Sequence, residues 1–339
     1  MTSRASRAIR TLWHTDRPLT AVGLLMLVAL AASALGLWLD PRTIGGTPAW
    51  LKPAKFAASA AIYSLTVAWL FQYLGSWRMV RRVAGWSTAA IFVLEVAIVD
   101  VQAWRGTASH FNVGTPLDGM LFGIMGAAIF LQTAVSIAVA VALWRERFAD
   151  PAMGWALRFG MTLTIVGAMT AGLMVRPTAA QLVNARAGLG MPVVGAHTVG
   201  APDGGAGVPG TGWSLAHGDL RVPHFVGLHA LQVLGLLALL VGTRIPTPRR
   251  RVRVVLIAAA SYTALFAILL LQALRGQSIV QPDTVTIVTL VAWALATAAA
   301  AYAAARSAPL SRRGGRSLVV PTFRSADCFQ KRTRATRTL

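Results

Sequence analysis

Three features predict an all-α, multi-pass membrane protein with about eight spanning helices. The first is composition: 55% of the 339 residues are hydrophobic and only 13% are charged. With a mean hydropathy of +0.60, the chain is too apolar for a soluble domain of this length. The second is that the apolar residues fall into runs of roughly 17–25, the length at which a helix crosses the bilayer core. The third is that the arginines cluster between alternate runs, as topology signals do. A net charge of +21 would otherwise suggest nucleic acid. Clusters confined to alternate loops read instead as contact with anionic lipid, and nucleic acid is set aside as a partner. The single cysteine, Cys328, lies in the polar tail, which leaves no disulfide framework and no cysteine metal site.

Residues 1–17 form a basic N-terminus carrying Arg4, Arg7, Arg10 and Arg17. The apolar run from Leu19 to Leu39 suffices for one span. Ala32-Ser33-Ala34 resembles a signal cleavage site, but the length of the run favours an uncleaved anchor. Later runs begin near Lys55, Gly85, Gly119, Phe159, His224, Val252 and Val285. The basic clusters Arg78/Arg81/Arg82, Arg145/Arg147/Arg158, Arg244/Arg249/Arg250/Arg251/Arg253 and the tail from Arg306 all share the side of the N-terminus. Both termini are therefore expected in the cytoplasm, against anionic lipid, with the other loops on the outer face. Residues 306–339, basic and rich in Ser, Thr and Gly, read as a disordered tail. Small-residue spacings such as Gly119 to Gly123 read as helix-packing positions.

The chain also repeats itself. Gln102-Ala103-Trp104-Arg105-Gly106 closes the third span and Gln272-Ala273-Leu274-Arg275-Gly276 closes the seventh. The loops that follow end in Pro116-Leu117-Asp118 and Pro282-Asp283, while Pro53-Ala54-Lys55-Phe56 opens the second span and Pro223-His224-Phe225 the sixth. Matches in the same order at nearly the same spacing predict two parallel four-helix repeats, 18–144 and 155–305, related by a pseudo-twofold along the membrane normal. The second repeat carries an inserted outer loop, 176–222. The competing reading is that Arg-Gly merely terminates helices. In this register Lys55 matches His224 and Ala60 matches His229, so these histidines belong only to the second half.

Chemistry concentrates between His197 and Gln232, which holds four of the six histidines together with Asp203 and Asp219. His224 and His229 lie five residues apart, about 140° around a helix, with Gln232 between them. That is not the spacing of a zinc pair on one helix face, yet the three can border one cavity. Glu95 and Asp100 are the carboxylates inside spans, and an acid at that depth must be neutralised or paired. A structural hydrogen bond between helices competes with a proton relay from His229 through Glu95. Of 32 basic residues only Lys52, Lys55 and Lys331 are lysine. A compact ammonium at Lys52 or Lys55, with Arg105, Arg221 and Arg275, suits a phosphate or carboxylate, whereas each taken singly reads as an interface anchor. Asp203-Gly204-Gly205 lacks the spaced acids of an EF-hand and any Walker lysine, and reads as an ordered lid with Asp203 capping a turn.

The phrases SHFNVGTPLD, HTVGAPDGG and GDLRVPHFVGLHALQ, with KPAKF earlier, resemble a family of bacterial multi-pass membrane proteins of uncharacterised activity. The resemblance covers most of residues 40–285 and implies a bacterial cytoplasmic membrane, without an activity. The architecture alone is similar to heme A synthases, also built as two four-helix halves. Those proteins place histidine ligands on two helices of a half, and here the eighth span has none. A bis-histidine heme would need His110 or a loop histidine such as His197 beside His229.

The leading expectation is that His110, His197, His224 and His229 bind a divalent metal or heme, assisted by Asp203 or Asp219, for redox or hydrolytic chemistry. Glu95, Asp100 and Gln232 are the candidate catalytic groups, and the substrate is a small molecule or lipid reached from the membrane. The rival expectations are a transporter or channel with a Glu95/Asp100 relay, and an extracytoplasmic sensor or assembly factor that binds through the long loop.

Overall fold

A computed structural model describes residues 4–306; the expected tail beyond Arg306, with Cys328, lies outside the described residues. The described chain is predominantly helical, and eight of its helical segments are long and apolar enough to cross a membrane. A short amphipathic helix, α1 (Arg4–Thr15), precedes α2 (Arg17–Leu39), α3 (Leu51–Leu70), α4 (Arg78–Trp104) and α5 (Pro116–Arg145). The fifth segment comprises α6 (Pro151–Met169), α7 (Ala171–Met174) and α8 (Ala179–Arg186), and the sixth α9 (Arg221–Leu228) and α10 (Ala230–Arg244). Helices α11 (Pro248–Leu274) and α12 (Thr284–Arg306) complete the chain. Ala32, Ser33 and Ala34 lie within unbroken α2.

Polar residues start these apolar helices. Asp16, Thr115 and Asp150 each accept a first-turn backbone N–H, and each is followed within two residues by a proline, whose missing N–H costs nothing there. Helices α4 and α11 end alike. Gly106 and Gly276 take φ of 73° and 72°, and their amides bond back to Ala103 and Ala273. The next amides, Thr107 and Gln277, reach Gln102 and Gln272. Left-handed glycine makes both closures possible.

The packing order is also alike in the two parts. Helix α2 packs on α3 and α4, and α4 on α5; α6 packs on α9, α10 and α11, and α11 on α12. The main core gathers Leu19, Phe71, Leu143, Leu157, Met161, Leu231 and Leu234, which belong to the end of the bundle that carries the arginine clusters. At the opposite end two short antiparallel ladders fold the loops back: β1 (Thr43–Ile44) with β2 (Thr47–Pro48), and β3 (Thr198–Val199) with β4 (Gly218–Asp219). The second ladder ties the two ends of a glycine-rich roof.

The glycines that pack helices are not Gly119 and Gly123. A Cβ on Gly123 would meet nothing within 4 Å and one on Gly119 only Val113 at 3.8 Å. The close approach is at Gly167 and Gly227, where a Cβ on either would lie 2.4–2.5 Å from backbone atoms of the other. Both chains break beside this crossing, α6 giving way to α7 at Thr170 and α9 to α10 at His229. Freed backbone groups there find side chains: the Leu228 carbonyl accepts from Thr164 at 3.3 Å and the Val226 carbonyl from Tyr262 at 2.6 Å.

Candidate functional site

The end of the bundle away from the main core is hollow. A cavity of about 1530 Å³ runs between α3, α4 and α5 on one side and α6, α9 and α10 on the other, roofed by the loops before α5 and α9. Its wall is apolar where Phe56, Phe92, Val99, Ile129 and Leu228 line it, and polar at the mouth and at the floor. His110, His197, His224, His229, Asp203, Lys52, Lys55, Arg221, Glu95 and Gln232 all line it. Asp100, Asp219, Arg105 and Arg275 do not.

The four histidines share one habit: Nδ1 is engaged. The α9 backbone aims His224 at α6, where its Nδ1–H donates to the Gly167 carbonyl at 2.8 Å. His229 sits at the break and donates to the Phe225 carbonyl at 2.8 Å, its ring 4.1 Å from that of Phe225. His197 Nδ1 lies 2.6 Å from the Asp203 carboxylate, and His110 Nδ1 lies 3.2 Å from Ser109 Oγ. A carbonyl or carboxylate only accepts, so Nδ1 carries the hydrogen in three of these rings. Nε2 has no hydrogen-bond partner in any of the four among the described residues.

Asp203 does cap a turn, accepting from the His197 and Thr198 amides and the Thr198 hydroxyl as well as the ring. Burial alone would raise its pKa, but these donors hold it well below the usual carboxylate range. Burial pushes the pKa of His197 down in spite of Asp203, and it pushes that of His110 well below 6.5, where Lys52, His197 and His224 add repulsion. Both rings are therefore neutral near pH 7. The unfolded chain takes up these protons near pH 6.5 while the folded chain does not, so their contribution to stability is complete above that pH. It falls by about 1.4 kcal/mol per pH unit per proton as pH drops toward the folded values. Thermal melts in detergent are expected to show a lower midpoint at pH 5.5 than at 7.5, with a smaller difference for His110→Gln.

The carboxylates expected to assist a metal are committed elsewhere. Asp219, 2% exposed, is turned by β4 toward Arg221, which it binds through two nitrogens at 2.9 and 2.6 Å, and it also accepts the Ser214 and Arg221 amides. Asp203 is filled by its own turn, and His229 bonds back to its own helix. Among the described residues no three His, Cys, Asp or Glu side chains are placed to hold a metal ion.

The five cations expected to bind an anion divide similarly. Arg105 pairs with Asp118 at 2.8 Å and Arg275 pairs with Asp283, both outside the cavity wall. Lys55 donates to the Thr211 carbonyl at 2.8 Å, and Arg221 holds Asp219 and the Gly212 carbonyl. Lys52 alone among these five has neither a hydrogen bond nor an ion pair within the described residues. Its ammonium lies 5.8 Å from the Phe56 ring centroid and within electrostatic reach of Lys55, Arg221 and Glu95.

The floor holds residues that the sequence reading passed over. Tyr63, Gln132 and Ser136 form one network there, with Tyr63 Oη and Ser136 Oγ 2.9 Å apart. A glutamine inside an apolar run is the signal that marks it, since an amide in hydrocarbon needs a partner. Comparison with protein-family models, curated proteins and solved structures finds no match for the chain.

Proposed function

We propose that the chain is a protein of a bacterial cytoplasmic membrane, with both termini in the cytoplasm and two parallel four-helix repeats. Its outer-face cavity receives a membrane-accessible ligand with an anionic head and an apolar body. The matching glycine closures of α4 and α11 and the matching packing order support the repeat, and the arginine clusters at one end support the orientation. The observation that carries the ligand reading is Lys52, a cation with no hydrogen bond or ion pair among the described residues, at the mouth of an apolar chamber. A half-buried ammonium calls for an anion; of the two carboxylates within its electrostatic reach, Asp203 is committed to its own turn and Glu95 forms no ion pair with it.

The test uses radiolabelled dodecyl phosphate, titrated onto the purified protein in maltoside micelles with dodecanol as the uncharged control. Saturable binding that weakens about 10-fold or more in Lys52→Gln is expected, the loss of one charge-assisted hydrogen bond, with Arg275→Gln unchanged. Equal binding by Lys52→Gln, or none that saturates in the wild type, sinks this reading.

A second reading has its own observation, the free Nε2 atoms. A histidine that ligates a metal commonly donates its other ring nitrogen to a carboxylate or carbonyl, the arrangement of His197, His224 and His229. Two of them, with substrate or solvent completing the sphere, would suit a divalent metal or an axial heme pair. Elemental analysis and an absorption spectrum test it: about one metal per chain or a Soret band, lost in His229→Ala or His224→Ala, is the supporting result.

A further inference from the structure

The floor of the cavity carries a second, opposite polarity. Glu95 is 3% exposed, and neither of its carboxyl oxygens has a hydrogen-bond partner among the described residues. Gln132 is 7% exposed, and its Oε1, like Oε1 of Gln232, has no partner among the described residues. All three side chains line the same cavity. Gln132 and Gln232 reach one stretch of α3, at Tyr63 and at Thr66, and the Phe92 ring, three residues before Glu95 on α4, packs edge-on against the same Tyr63.

The surrounding hydroxyls set which way the amides point. Thr66 donates its one hydrogen to the Ile62 carbonyl at 2.6 Å, so toward Gln232 it can only accept, and it takes Nε2 at 3.4 Å. Ser136 donates to the Gln132 carbonyl at 2.9 Å, so it accepts from Tyr63 and from Gln132 Nε2. Flipping either amide would set an acceptor against an oxygen with no hydrogen to give. With Glu95 ionised, the unpartnered oxygens of these three side chains are four, all acceptors.

We infer that this floor is a subsite for a compact monovalent cation, held by Glu95, Gln132 and Gln232. One carboxylate balances one positive charge, and carboxylate, amide and hydroxyl oxygens are the ligands that hard cations and ammonium groups take. Buried acceptors are costly when unmade, and a cation satisfies several at once. The same chemistry has two sources, an inorganic ion or a primary ammonium on a ligand. Lys52 is the rival within the chain: it lies in electrostatic reach of Glu95 but forms no ion pair with it. The subsite does not depend on an anion being bound at Lys52.

The experiment follows the thermal midpoint of the full-length protein in maltoside. Choline chloride at constant ionic strength is replaced stepwise by NaCl, KCl or methylammonium chloride. A saturable rise of several degrees with at least one of the three is expected, absent in Glu95→Gln and retained in Lys52→Gln. A response to Na⁺ or K⁺ identifies an inorganic ion, and a response to methylammonium alone identifies a ligand's ammonium. Gln132→Leu, which keeps the carboxylate, is expected to fold and to raise the half-saturating concentration about tenfold, the loss of one ligand. No saturable rise in the wild type, the same rise in Glu95→Gln, or a rise seen only in Lys52→Gln overturns the inference. The last outcome would make Lys52 the occupant. Because dodecyl phosphate binding is read through Lys52 and the cation response through Glu95, either proposal can fail alone.

Discussion

Gly167→Val is expected to destabilise the protein by about 3 kcal/mol or more, at the upper end of what overpacking costs. A Cβ at Gly167 would stand 2.5 Å from Gly227 Cα and C and 2.7 Å from the Leu228 nitrogen. A clash with the tip of a side chain relaxes by rotation; these are backbone atoms, so α6 and α9 must move apart. Seven residues earlier Gly160 makes the same demand, its Cβ 2.8 Å from Leu231 Cα. Separation reaches the cavity directly, because the Gly167 carbonyl accepts from both His224 and Thr170. Reversible unfolding in mixed micelles is the measurement, with Gly123→Val as the comparison. A Cβ there meets nothing within 4 Å, and its effect is expected within about 0.5 kcal/mol, as for other uncrowded surface positions. Equal losses in the two proteins would remove close packing as the cause.

That comparison also marks the limit of what a single sequence reveals. Gly119, Gly123, Gly167 and Gly227 are the same residue in similar apolar runs, and only the position of the facing helix tells a packing glycine from an idle one. The eight apolar segments were legible because hydrocarbon length and arginine placement are local properties. Their starts were less so: the second helix begins at Leu51 rather than near Lys55, and the sixth at Arg221 rather than at His224. The break at His229 has no local signal, since no proline stands there and the cause is the crossing at Gly227. His110, His197, His224 and His229 line one cavity. Nearness in sequence does not tell which carboxylates join them: Asp203 lines that wall and Asp219 does not. Asp219 was expected to face the histidines, but Arg221 two residues on turns it the other way. Gln132 was overlooked because nothing near it in sequence is polar except Thr133 and Ser136. Its meaning comes from Tyr63, on another helix.

Asp219→Ala is expected to cost about 3–5 kcal/mol, the range for breaking a buried ion pair by removing one partner. The side chain of Asp219 is 1% exposed and that of Arg221 27%, so the guanidinium left behind is only partly hydrated. Asp219 also closes the roof: it accepts the Ser214 amide, pairs across the ladder with Thr198, and positions the arginine that holds the Gly212 carbonyl. Losing it should therefore free residues 198–217 as a unit, read as faster hydrogen exchange and proteolysis there, with α10 and α11 unchanged. Arg275→Gln removes a pair whose side chains are 43% and 39% exposed, and less than about 1 kcal/mol is expected for it. The decisive arm is Asp219→Ala/Arg221→Met. If the stranded charge causes the loss, the double variant should be more stable than Asp219→Ala alone, although it lacks both partners. If the loss comes only from the roof's hydrogen bonds, the double variant should be no better, and the roof will have to be understood as a backbone device that Arg221 merely accompanies.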